Sequence, residues 1–261
     1  TRLVIEFVPS VDLDPTDLKL IGTAPNRWEL GLVGLPTNNL KRIGEGDVAK
    51  SYRKYPFKTN KRVGPQNLNA SKLPTIQRGR YKVVLDPGHG GPDPGAVGVS
   101  GLRETEVVLD VSLQVSELLS QKGVKVLMTR RNEIDLDLPP RVAKANRARA
   151  DVFVSIHANA SRGKRRDVNG LETYYYAGYR GRNLAQNIQE QILKVSPGSP
   201  DRGVRRARFF VIRRTNMPAA LVEIGFVTGR IDSRKLKQAD HRERLAFAIA
   251  KGILNYLKEA G

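Results

Sequence analysis

Two histidines and two glutamates stand at points of the sequence where catalytic groups often gather. His89 follows a short apolar run through Asp-Pro-Gly, and His157 closes another apolar run. Glu104 precedes a helical pattern, and Glu223 ends the run Ala-Leu-Val. Two neutral imidazoles and one carboxylate are the ligand set of a catalytic Zn²⁺, which leaves a fourth position for water. A second carboxylate can then carry the proton that such a water loses. The four residues together predict a zinc-dependent hydrolytic site.

The spacing of these residues does not decide which acid binds the metal. Zinc lowers the pKa of a bound water to about 7, so a nucleophile exists at neutral pH. Glu223 suits the proton-carrying role because burial among apolar neighbours raises the proton affinity of a carboxyl group, yet the two acids could exchange roles. Each residue also has an ordinary interpretation: His89 in a turn, Glu104 at a helix N-terminus, Glu223 as a partner of an arginine. Their expected convergence at the carboxyl ends of neighbouring strands favours a catalytic role over these ordinary interpretations.

The elements that position these residues alternate between strands and helices from residue 81 onward. Apolar runs predict strands at 81–85, 124–128, 152–156, 170–176, 209–212 and 219–224. Helical spacing predicts helices with apolar positions at 108–119, 142–148, 184–193 and 245–257. This alternation is typical of an α/β fold with a mostly parallel twisted sheet and helices on both faces. Ligands of such sheets collect at the carboxyl ends of the strands, where both histidines are expected.

The first 80 residues have a different character. Short strands are predicted at 3–8 and 28–33, so we expect a small β-rich segment over residues 1–43. Residues 44–80 are polar, basic and interrupted by prolines, as in a linker. The catalytic domain is therefore expected at 81–261. Residues 1–7 contain no initiator methionine and do not form a signal peptide, so we expect either an interior piece of a longer precursor or a deliberately trimmed chain.

Composition narrows the classes of function. Lysine and arginine number 45 against 26 acidic residues, a net charge of +19 that predicts attraction to polyanions. No nucleic-acid-binding motif is present, and metal nucleases usually gather carboxylates around magnesium, so we expect no nucleic-acid partner. The absence of cysteine excludes thiol catalysis and cysteine zinc sites. No apolar run approaches the roughly 20 residues of a membrane span, so none is expected.

Four segments resemble the zinc-dependent N-acetylmuramoyl-L-alanine amidases of family 3 type: VVLDPGHGG at 83–91, GLRE at 101–104, SIHANA at 155–160 and MPAALVEIGF at 217–226. The resemblance extends from about residue 81 to 257. It implies His89, Glu104 and His157 as ligands of one Zn²⁺, and Glu223 as the catalytic carboxylate. It also implies hydrolysis of the amide between N-acetylmuramic acid and L-alanine in peptidoglycan, by an exported protein of the periplasm or cell wall.

Further expectations follow from this resemblance. Asn159, Arg130 and Arg141 are candidates for substrate binding or for orienting the metal ligands. The first segment faintly resembles the AMIN targeting domain. Some family members carry a helix that plugs the active site, whereas the connection at 160–184 is short and basic here, so we expect an open enzyme. We expect a monomer that also associates with anionic wall polymers. The alternatives are a zinc peptidase on a related scaffold and a non-catalytic wall-binding module.

Overall fold

A computed structural model describes residues 18–24, 27–32, 70–163 and 165–260. The chain divides into two compact units, Thr1–Arg62 and Val63–Gly261. In the first unit, strands β1 (Leu18–Ala24) and β2 (Arg27–Leu32) form an antiparallel pair. Strand β2 agrees with the strand predicted at 28–33, whereas β1 was not predicted. The strand predicted at 3–8 and most of the predicted linker, residues 44–69, lie outside the described residues.

The second unit contains six strands and six α-helices in its described part. The strands are β3 (Lys82–Pro87), β4 (Lys125–Met128), β5 (Val152–Asn159), β6 (Leu171–Tyr175), β7 (Asp201–Arg206) and β8 (Ala219–Phe226). The helices are α1 (Glu104–Gln121), α2 (Leu138–Ala148), α3 (Gly178–Lys194), α4 (Phe210–Arg214), α5 (Asp232–Leu236) and α6 (Ala239–Glu259). Short 3₁₀ turns occur at Ala70–Lys72 and Val99–Gly101.

The six strands form one sheet in the order β4-β3-β5-β8-β6-β7. Strands β4, β3, β5 and β8 run parallel to one another, β6 is antiparallel to β8, and β7 is parallel to β6. The predicted mostly parallel α/β fold is confirmed. Because β3, β5 and β8 are parallel, their carboxyl ends meet at one edge of the sheet.

Helices cover both faces of this sheet because neighbouring residues of a strand point to opposite sides. In β3, Val83 and Leu85 belong to the core beneath α1, α3 and α6, whereas Val84 between them belongs to the core beneath α2 and α4. Strand β5 divides its residues in the same way, with Val154 on the first side and Phe153 on the second. A strand buried on both sides needs a continuous apolar run, which explains why these strands were recognisable.

Two elements near the end of the sheet correct the sequence-based prediction. The strand predicted at 209–212 is wrong, because Phe210–Arg214 forms the short helix α4. A four-residue apolar run has no periodicity that separates a strand from one helical turn, and Val211 and Ile212 bury themselves against the sheet from the helix. Strand β7 was not predicted, because Asp201–Arg206 is polar and lies at the sheet edge.

The residues just ahead of β3 pack on the same unit. Leu73 is buried in the core below α1, and the Gly79 N–H donates to the Gly123 carbonyl. The expected start of the catalytic domain at residue 81 stays a prediction, and the compact units divide between Arg62 and Val63. In the described part of the chain, no helix combines the length and apolar character that a bilayer crossing requires.

Candidate metal centre

His89, Glu104 and His157 come together at the carboxyl ends of the parallel strands. His157 belongs to β5, His89 follows β3, and Glu104 is the first residue of α1. One ligand atom from each of the three lies within 4.8 Å of the others. The two imidazole rings meet edge to face, with centroids 5.1 Å apart. Such an arrangement can hold one metal ion.

Glu104 is the buried centre of this group. Its Oε1 lies 3.0 Å from His157 Nδ1 and 3.2 Å from His89 Nε2. Backbone N–H groups of Ala96 and Ala158 donate to its two oxygens. Burial alone would raise the pKa of Glu104, but hydrogen bonds and charges from His157 and His89 outweigh it and hold that pKa well below its usual value. Glu104 is therefore a carboxylate at neutral pH.

His89 is held in place by its own loop. Its backbone is left-handed, with φ of 59°, and its Nδ1 lies 2.8 Å from Asp93 Oδ2. A hydrogen bond at Nδ1 leaves Nε2, which faces Glu104, available to bind a metal, because the partner of one ring nitrogen fixes the role of the other. Burial lowers the pKa of His89, while Glu104 and Asp93 raise it by more, so the net pKa is raised. Asp93 was missed by the sequence analysis, because its only signal in the sequence was its position four residues after His89.

Two glycines provide space for the ligand side chains. A Cβ atom on Gly88 would lie 2.3 Å from His157 Cε1, far inside contact distance. A Cβ atom on Gly95 would lie 2.7 Å from Glu104 Oε2 and 2.8 Å from His89 Cδ2. The glycines of this loop therefore permit the ligands to converge as well as the chain to turn.

Glu223 lies beside the three residues on the next strand. It pairs in register with His157 of β5 and with Glu172 of β6, so all three side chains point to the same face. Its Oε2 is buried and has no hydrogen-bond partner among the residues that the structure describes. Burial, followed by the negative charges of Glu104 and Glu172, raises the pKa of Glu223 well above its ordinary value. An unsatisfied carboxyl oxygen with high proton affinity is suited to accept and release a proton.

Arg141 supports the loop that carries His89. Its guanidinium donates to Asp86 Oδ1 at 2.9 Å, to the Pro87 carbonyl at 2.7 Å and to the His89 carbonyl at 2.7 Å. Its Nε donates to the Leu136 carbonyl. Arg141 is 3% exposed, so the structure places it beneath the site.

Arg130 supports the same loop from the other side. It is 1% exposed and donates to the carbonyls of Pro87 and Gly88 at 3.1 and 2.7 Å. It also donates to Thr105 on the first turn of α1, next to Glu104. Arg130 thus joins the segments that carry two of the three ligands.

Asn159 directs its side chain to Glu172, away from the three-ligand group. Its Nδ2 donates to Glu172 Oε1 at 2.7 Å, and its Oδ1 accepts from the Ala160 N–H. Glu172 is 2% exposed and was missed by the sequence analysis, because an acid at the start of a strand resembles a solvent-facing residue. The third histidine, His241, lies in α6 and belongs to no such group in the described part of the chain; burial lowers its pKa to about 4.

Fold and site together define a mixed α/β domain in which His89, Glu104 and His157 could hold a metal ion beside a buried glutamate. The chain belongs to the N-acetylmuramoyl-L-alanine amidase family, whose profile matches residues 83–255. It is 42% identical over 179 residues to the N-acetylmuramoyl-L-alanine amidase LytC of Bacillus subtilis, a match that covers 67% of this chain and 35% of LytC. The chain therefore spans about a third of that relative.

Two further comparisons agree with this membership. The N-acetylmuramoyl-L-alanine amidase AmiC of Neisseria meningitidis is 31% identical, over 98% of this chain and 71% of its own length. The structure of the amidase AmiC2 of Nostoc punctiforme superposes with a TM-score of 0.67 at 44% identity, covering 70% of this chain and 99% of that one. Family and fold were both predicted correctly from the sequence.

Proposed function

We propose that the chain hydrolyses the amide between N-acetylmuramic acid and L-alanine of peptidoglycan, with one Zn²⁺ as cofactor. The observation that carries the proposal is the convergence of His89, Glu104 and His157 beside the unsatisfied, buried Oε2 of Glu223. The family membership supports the choice of substrate. Export to the periplasm or cell wall belongs to the same proposal, because peptidoglycan lies there.

The residues present fit a zinc ion. Two imidazoles and one carboxylate are the donor set of catalytic zinc sites, and imidazole suits zinc better than magnesium. Glu104 is held as a carboxylate, and Asp93 orients His89 as outer partners of metal ligands commonly do. When bound, zinc supplies Lewis acidity and a water nucleophile at neutral pH.

Glu223 carries the proton in this proposal. Its Oε2 takes a proton from the attacking water as the new C–O bond forms at the lactyl carbonyl. The same oxygen delivers that proton to the alanine nitrogen as the C–N bond breaks, which yields a carboxylic acid and an amine. At neutral pH the acid then gives up its proton and the amine gains one, so the products are a carboxylate and an ammonium group. A pKa raised by burial and by the neighbouring carboxylates makes Glu223 a stronger base for the first half of this transfer.

Arg141 and Arg130 act by positioning in this proposal. Their N–H groups donate to backbone carbonyls of residues 87–89 and to Thr105. They therefore hold the His89 loop and the start of α1 in place. Asn159 acts on Glu172 in the same indirect way. Residues 160–163 and 165–170, between β5 and β6, contain no helix. We therefore expect turnover by the purified chain without an activator protein.

Digestion of purified peptidoglycan by the wild type, Glu223→Gln and Glu190→Gln tests the proposal. Glu190 is an exposed acid of α3 and serves as the matched control. Loss of a general acid–base group costs about 10²- to 10⁴-fold in rate, so we expect that loss in Glu223→Gln and none in Glu190→Gln. Mass spectrometry should find stem peptides with a free L-alanine amine, and both variants should retain one zinc per chain.

Other outcomes would redirect the assignment. Products cut inside the stem peptide would indicate a zinc peptidase. Binding to peptidoglycan without any product from the zinc-loaded wild type would indicate a wall-binding module. Full activity in Glu223→Gln would refute the role given to that residue.

A further inference from the structure

Edge strand β7 contains a bulge beside the site. Leu171 of β6 pairs with Asp201, but the next residue, Glu172, pairs with Gly203, so Arg202 is an extra residue in β7. Gly203 is left-handed, with φ of 82°, as glycines of bulges often are. Bulges are rare in parallel pairs, and they commonly re-aim a side chain next to an active site.

The bulge brings two arginines to one carboxylate. In a regular strand, residues three apart point to opposite faces. Here Arg202 Nε lies 3.4 Å and Arg205 Nε lies 3.6 Å from the same oxygen, Glu172 Oε2. The Arg205 Nε–H donates to the Arg202 carbonyl, and the Arg202 guanidinium lies over the Phe226 ring, 5.1 Å from its centroid. Glu172 thus supplies the countercharge to both side chains as an ion-pair partner.

Both arginine side chains remain partly accessible to solvent. The side chains of Arg202 and Arg205 are 32% and 53% exposed, against 2% for Glu172. Both contact Glu172 through Nε. Two guanidinium groups and one carboxylate leave one positive charge. The group therefore offers hydrogen-bond donors and net positive charge to an anion from solvent.

The group lies close to the reacting centre. Glu172 is the register partner of Glu223, and directly opposed side chains on neighbouring strands lie about 5 Å apart. Strand β7 is one strand further, roughly 10 Å from β8. In an extended stem peptide, a group two residues from the scissile amide lies roughly 7 Å from that amide. If the amide lies beside Glu223, an anion at that distance is within reach of the Arg202 and Arg205 side chains.

We propose that Arg202 and Arg205 bind a free carboxylate of the stem peptide, within about two residues of the scissile amide, and make the enzyme selective for substrates that carry it. The inference rests on the proposed function. The muramic carboxyl is consumed in the scissile amide, so the remaining carboxylates of the substrate belong to the peptide. Glu172 is a positioning residue, because it touches the arginines and not the substrate.

The test compares two muramoyl peptides that differ only in whether that carboxylate is free or converted to the carboxamide. We expect the wild type to favour the free acid about tenfold in kcat/KM, mainly through KM, since hydrogen bonds to charged groups are worth about that much. Arg205→Gln and Arg202→Gln should each bring this preference close to one, through a raised KM for the free acid. Arg206→Gln is the control, because its Nε donates to the Tyr176 carbonyl at the other end of β6.

The outcomes separate this inference from the proposed function. Equal cleavage of both substrates by the wild type would overturn the inference and leave the amidase assignment intact. A preference that survives in both arginine variants would also overturn it. Absence of cleavage of either substrate by the zinc-loaded wild type would refute the proposed function, and the inference with it. The wild-type comparison does not depend on the folding of any variant.

Discussion

Gly88 shows how closely the ligand side chains are packed around the backbone. Its carbonyl accepts from Arg130, its N–H donates to the Ile156 carbonyl, and an added methyl group would overlap the His157 ring. Because the Gly88 backbone is hydrogen-bonded on both sides, it cannot shift away from the added methyl group, so the His157 imidazole must move. Metal geometry tolerates little displacement of a ligand, because zinc sites require distances within about 0.2 Å of ideal.

We therefore predict that Gly88→Ala loses zinc and activity together. Zinc per chain after dialysis should fall well below one, and amide hydrolysis should fall at least 10²-fold. Gly181→Ala is the control, because a Cβ atom there meets nothing closer than 3.6 Å and the residue lies in α3. Retention of one tightly bound zinc by Gly88→Ala would contradict this account of the loop.

Single residues were predictable where their type is rare and their setting unusual. His89 and His157 stood out among three histidines, and Glu223 stood out as an acid in an apolar strand. Glu172 and Asp93 did not stand out, because acids are common at strand starts and in turns. Their importance arises from register and loop geometry, which bring distant segments together and leave no local trace in the sequence.

At the level of elements, the site depends on how the β3 loop is tied to α2. Asp86 at the end of β3 is 1% exposed and accepts from Arg141, Thr129 and Ser155. Arg141 in turn holds the carbonyls of residues 87 and 89. The buried ion pair thus links strand, loop and helix, and its removal leaves a carboxylate without its countercharge.

We predict that Arg141→Met lowers the free energy of unfolding by about 3 kcal/mol, the lower part of the range for breaking a buried pair, because Thr129 and Ser155 still donate to Asp86. Urea unfolding measures the change. Arg165→Met provides the control, since Arg165 pairs with Asp167 at the surface and its loss should leave the unfolding midpoint unchanged. A midpoint for Arg141→Met equal to that of the wild type would refute the structural role.

Elements were predictable where burial produces a pattern. Strands β3, β5 and β8 are buried on both faces and read as continuous apolar runs. Strand β7 is polar because it lies at an edge, and α4 is too short to show helical periodicity. The bulge in β7 has no sequence signal beyond one glycine, so the convergence of Arg202 and Arg205 could only be seen in the structure.

For the whole molecule, the dominant property is its charge of +19. Such a charge attracts anionic polymers over a distance of about 10 Å at 0.1 M salt and about 3 Å at 1 M. We propose that anionic wall polymers retain the protein through this field.

We predict that binding to purified walls weakens steeply as salt rises from 50 mM to 500 mM. Walls stripped of their anionic polymers should bind less protein at low salt and show little salt dependence. Sedimentation of the protein with walls measures both. Equal, salt-independent retention on both preparations would show that charge does not anchor the protein.

The position of β8 determines how early during synthesis the site can be completed. This strand lies between β5 and β6 in the sheet, yet it is the last of the six to be synthesised. A nascent chain that already contains His89 and His157 still lacks both Glu223 and the strand that joins the two parts of the sheet. Under the proposed function, a chain that ends before β8 therefore cannot cut the wall.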